Sequence, residues 1–126
     1  KKQAAMGGSL GDLDDGVQDI NDVTLMARVI DGLPARELRG LVDDGKQHIK
    51  SGVVVFIGTD EGKAGIAVGV TDDLTERFSA VDLVRLGSAA LGGQGGGGRP
   101  DMAQAGGPNG SGAQQAIDAI VSALSV

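Results

Sequence analysis

Between Gly92 and Gly107 the chain reads GGQGGGGRPDMAQAGG, and eight of those sixteen residues are glycine. Four of them, Gly95, Gly96, Gly97 and Gly98, are consecutive. Glycine loses more backbone freedom on ordering than any other residue, so such a run is expected to be a loop, not a helix or strand interior. A flexible linker is one reading of a glycine tract. The fixed run of Arg99, Pro100, Asp101, Met102 and Gln104, closed by a second glycine pair, argues against it. A backbone free of Cβ atoms can turn successive N–H groups onto an anion, and Arg99 beside it can fork onto phosphate. The segment is no Walker loop, because no Gly-Lys-Ser/Thr follows. It is no Rossmann turn either, because it follows a helical pattern.

The rest of the chain supplies alternating strand and helix signals. Lys1 to Gly16 has little periodicity and reads as a linker or tail. Val23 to Ile30 is rich in β-branched residues and reads as a strand. A helix is expected from Pro34 to Lys50, with Leu38, Leu41, Val42, Gly45 and Ile49 forming one apolar stripe. Arg36, Arg39, Lys46 and Lys50 share an arc beside that stripe. Val53 to Thr59 is continuously apolar, as in a strand buried on both faces. Asp60 to Lys63 is a turn, and Ala64 to Val70 completes a hairpin whose small residues suggest close approach of a helix. Thr71 to Arg77 is a polar turn. Ser79 and Asp82 resemble a capping box for a helix over 80–91, supported by Val81, Val84, Leu86 and Leu91. Ile117, Ile120, Val121 and Leu124 mark a last helix over 113–124. This order points to an α/β single domain, a mixed β-sheet covered by helices, with the glycine-rich loop near the C-terminus.

Composition excludes several classes of function. At 126 residues the chain can bury one modest core. Its net charge of -6 excludes a uniformly basic nucleic-acid binder, so any phosphate contact must use a local patch. It has no cysteine and one histidine, which excludes disulfides and thiolate or His-rich metal sites. Trp and Tyr are absent, which argues against an aromatic platform for single-stranded bases. No apolar run approaches the roughly 20 residues needed to span a bilayer. The chain has no initiator Met and is read as a piece of something longer.

Each polar candidate has a bland reading. His48 lies on the helix flank without a catalytic partner and reads as a surface or half-buried side chain. Asp43-Asp44 and Asp72-Asp73 read as a solvated face or as helix caps. Asp101 either caps a turn or orients Arg99. Met102 and Ala103 read as core. The four-residue basic arc is either a solvated face or a phosphate-contacting one.

GRPDMAQAGG (Gly98 to Gly107), preceded by GGQGGGG, resembles the signature near the C-terminus of the alanyl-tRNA synthetase family, where it closes the DHH-associated domain. The likeness continues through DGLPARELRGLVDDGKQHIKSGVVVFIG (Asp31 to Gly58) and EGKAGIAVGVTDDLTERFSA (Glu61 to Ala80). It covers nearly the whole chain. It implies a linker over 1–20, following an absent helical, dimer-forming region, and a tRNA-binding globular domain over 21–126. It also implies a cytoplasmic, non-catalytic module with no metal or cofactor of its own. That module would contact the elbow of tRNA(Ala) and assist aminoacylation and editing. The ATP, magnesium and zinc chemistry would belong to the parent enzyme's catalytic and editing domains. The family usually carries Lys where this chain has Gln94, and often one glycine fewer. That departure leaves backbone N–H groups and Arg99 as the loop's contacts. The expected tRNA-binding set is therefore Arg36, Arg39, Lys46, Lys50, Gly95 to Gly98, Arg99 and Gln104. The rival readings are a nucleotide-binding accessory domain of a DHH-type phosphoesterase and a dimerisation module.

Overall fold

The run Val53 to Gly58 is buried throughout, and its neighbours on both sides explain why. In the computed structural model, which describes residues 17–20, 23–33, 35–49, 51–60, 62–93 and 96–124, this segment lies in the middle of a six-stranded sheet. The strands are β1 (Val17–Ile20), β2 (Val23–Asp31), β3 (Val53–Asp60), β4 (Lys63–Val70), β5 (Gly96–Arg99) and β6 (Met102–Gly107). Their spatial order is β1-β2-β3-β4-β6-β5. Only β2 and β3 run parallel. A parallel pair needs a crossover, and helix α1 (Leu38–Ile49), entered through a 3-10 turn at Ala35–Glu37, supplies it. The fold is therefore the expected α/β domain with a mixed sheet.

Helices cover both faces. Leu38 and Val42 of α1 bury against Met26, Val54, Phe56 and Ala67. The opposite face is covered by α2 (Ala80–Ala90) and α3 (Ala113–Leu124), which enclose Leu25, Val55, Ile57, Ile66 and Val68. In α3 the buried line is Ala113, Ala116, Ile120 and Leu124, while Ile117 and Val121 are half-buried. In α2 the buried line is Leu83, Val84, Gly87 and Ser88, and Leu86, expected in the stripe, is 42% exposed.

Three expectations are corrected. Val17–Ile20, assigned from sequence to the leading tail, is an edge strand paired antiparallel with β2. The expected tail over 1–16 and the helix-initiating Pro34 lie outside the described residues. The Ser79 capping box does not form, for the Ser79 side chain makes no cap hydrogen bond. The Ala80 N–H donates to the Pro100 carbonyl at 2.8 Å, so the first donor of the helix is satisfied by the segment between β5 and β6. Last, the glycine tract is not all loop. Gly96–Arg99 forms β5 and pairs with β6, whose other edge is held by β4. The ladder outweighs poor strand propensity, as tertiary context commonly does. Glycine is needed for this pairing at Gly98, where φ is 148° and a Cβ would come within 2.7 Å of the Ala103 Cα.

Candidate functional site

The β5–β6 hairpin packs on α2 with one face and borders α1 with the other, through Met102 and Lys46. Side chains alternate along a strand. Ala103 faces the α2 and α3 core, whereas Met102 packs beside α1. The register pairs Arg99 with Met102 and Gly97 with Gln104, which puts Arg99 and Gly97 on the α1 side. All four residues of β5 are exposed, Gln104 is half-buried, and β5 is the last strand of the sheet. Met102 and Ala103 are core-facing, as expected.

The helix brings its basic flank to this hairpin through Lys46. The Lys46 Nζ donates to the Asp101 backbone oxygen at 3.2 Å and lies 3.9 Å from its carboxylate. Asp101 therefore engages Lys46; the sequence offered Arg99 or a turn cap as its partner. Arg39 is seven residues before Lys46, so it lies on almost the same bearing about 10 Å along the axis, and it is exposed. Arg36 is exposed too, but it falls in the 3-10 turn, so the regular helical arc begins only at Arg39. Lys50, Gly95 and Gln94 lie outside the described residues. On the α1 side the structure thus places Gly97, Arg99 and Gln104 with Lys46 at the turn beside them, while Gly96 and Gly98 register with Ala105 and Ala103 on the α2 side and Arg39 is exposed farther along the helix. At the far end of this face, Gly58, Gly65 and Gly106 align across three strands. They floor an open cleft of about 600 Å³ with Leu33, Lys63 and Pro108 around it.

Of the remaining candidates, Asp73 has structural partners. Asp73 accepts hydrogen bonds from the Ser51 and Thr71 hydroxyls, Thr71 at 2.5 Å. These two bonds, Ser51 first, hold its carboxyl below the usual carboxylate range, against a small opposing desolvation. Asp43, Asp44, Asp72 and His48 are exposed. Among the described residues no group of three or more His, Cys, Asp or Glu is placed to hold a metal ion. No described helix is long and apolar enough to cross a membrane. Two residues that matter to the site escaped sequence reasoning. Ser88, fully buried on α2, donates to the Gly106 carbonyl at 3.2 Å and fastens the hairpin from behind. Gly69 on β4 leaves room for the Lys46 stem, whose Cδ would lie 2.8 Å from an added Cβ. Neither signal is local in sequence.

The DHHA1 domain model matches residues 21–125. Over 98% of its length the chain is 60% identical to the alanine–tRNA ligase of Hyphomonas neptunium and 56% identical to that of Bradyrhizobium diazoefficiens. It spans only 14% of the length of these relatives. Its fold superposes with a TM-score of 0.82 on the C-Ala domain of Aquifex aeolicus alanyl-tRNA synthetase. That match has 30% identity and covers 87% of this chain and 98% of the other.

Proposed function

The chain belongs to the DHHA1 domain family and corresponds to the C-terminal domain of alanyl-tRNA synthetases, and from that premise we propose that it is a non-catalytic tRNA-binding module. The observation that carries this reading is the juxtaposition of a side-chain-free strand, ending in exposed Arg99, with the basic flank of α1. Bare backbone lets a phosphate approach N–H groups closely. Arg99 and Arg39 add guanidinium forks suited to phosphate oxygens. Such contacts read the shape and backbone of folded RNA and carry no base code. The tRNA elbow is the target, because a module there can hold one tRNA while its other end visits separate catalytic centres.

In this account the parent alanine–tRNA ligase, a cytoplasmic enzyme dimerised through a preceding helical region, keeps its ATP, magnesium and zinc in other domains. This module's own contribution is binding. It raises the effective concentration of tRNA(Ala) near the aminoacylation and editing sites. With a net charge of -6, its intrinsic affinity is modest and strongly salt-dependent. The test is a footprint of the chain on tRNA(Ala), with elbow and acceptor stem scored separately. Protection confined to the elbow backbone is the expected result, and protection of the acceptor stem alone would contradict the proposal.

A further inference from the structure

The segment that turns β5 into β6 is held by three elements. The Val70 N–H at the end of β4 donates to the Asp101 carbonyl at 2.9 Å. The Ala80 N–H at the start of α2 donates to the Pro100 carbonyl at 2.8 Å. From α1, Lys46 reaches the same Asp101 carbonyl at 3.2 Å and the Asp101 carboxylate at 3.9 Å. The Lys46 side chain is only 19% exposed. Its stem lies over Gly69, and Asp72 and Asp73 border the same recess. Arg99 precedes this turn directly and pairs with Met102, the first residue after it, so the turn sets where Arg99 stands.

We propose that Lys46 is a positioning residue which latches the glycine hairpin, and that it is not one of the phosphate contacts. Its ammonium already donates to the Asp101 carbonyl, and its charge is offset by the carboxylates around it. The counterions that RNA binding releases are then those matched by exposed arginines. The Asp101 carboxylate neutralises the ammonium, so removing its charge leaves an uncompensated cation beside the binding face. The division of labour is Lys46 for the orientation of the hairpin, and Arg99 and Arg39 for charge. This inference rests on the proposed tRNA-binding reading for its second half only.

The test compares wild type, Lys46→Gln, Lys46→Arg and Asp101→Asn in two measurements. Amide hydrogen exchange is read without RNA, and tRNA(Ala) is titrated at three salt concentrations. The Arg99, Met102 and Ala103 amides are expected to exchange several-fold faster in Lys46→Gln and to recover in Lys46→Arg. Lys46→Gln is expected to bind more weakly at every salt concentration with an unchanged salt slope. Asp101→Asn is expected to steepen that slope by about one. Unchanged exchange in Lys46→Gln overturns the latch. A slope flattened by about one in Lys46→Gln, the signature of a direct phosphate contact, overturns the exclusion of Lys46 from the contacts. If wild type fails to bind tRNA at any salt concentration, the proposed function falls, and the exchange data still decide the latch.

Discussion

The Gly52 N–H donates to the Thr71 hydroxyl at 2.9 Å, and the Thr71 N–H donates back to the Gly52 carbonyl at 3.0 Å. This reciprocal pair joins the turn after α1 to the turn after β4. The Thr71 hydroxyl in turn donates to Asp73. Thr71 is 6% exposed, so its partners have little access to water once it is gone. Thr71→Val keeps the shape and leaves the Gly52 N–H unpaired, which costs about 1–3 kcal/mol. Urea unfolding should show a lower midpoint at unchanged slope.

The same junction has an acid limb. The folded-state Asp73 carboxyl lies below its ordinary value of 3.8. A depressed carboxylate contributes stability above its unfolded value, and that contribution is lost as pH falls through the folded value. Thermal melts should therefore show the Asp73 contribution intact at neutral pH and fading below about pH 4. Asp73→Asn should remove that part of the acid dependence.

Burial in α3 makes a sharp distinction between two isoleucines one turn apart. Ile120 is fully buried and Ile117 only partly. Ile120→Ala should cost about 2–5 kcal/mol, and Ile117→Ala clearly less. Truncation after Gly112 should abolish cooperative unfolding, as followed by circular dichroism.

Gly97 and Gly98 stand side by side for different reasons. At Gly98 the backbone has φ of 148° and a Cβ would strike Ala103, so Gly98→Ala should disrupt the hairpin. At Gly97 nothing lies within 4 Å of an added Cβ. Gly97→Ala should therefore leave the melting temperature unchanged or raise it slightly. It should nevertheless weaken tRNA binding, because the side chain keeps phosphate off the bare strand.

The core was readable because periodicity reports burial. The apolar run from Val53 and the Leu38, Val42 and Gly45 stripe each follow from local spacing, and both lie where expected. The glycine strand was not readable, since the ladder to β6 that overrides propensity involves a partner whose own place depends on β4. Nor was the Lys46–Asp101 pair, whose members are 55 residues apart. The α2 cap misled for a similar reason: the helix start is docked through the Ala80 N–H onto the distant Pro100 carbonyl, while the Ser79 side chain makes no cap bond. Of the expected site, the meeting of α1 with the hairpin is seen in the fold, while the roles of Arg36, Arg39 and Arg99 rest on charge and exposure.

The most direct test of the central claim is the salt dependence of tRNA(Ala) binding by wild type and by the Arg39→Gln/Arg99→Gln double variant. Both side chains are exposed, so the fold should survive and the melting temperature should stay within a few degrees. If this face binds the RNA backbone, the slope of log affinity against log salt should flatten by about two, one for each lost phosphate contact. An unchanged slope in the folded double variant would mean that tRNA does not bind across this face.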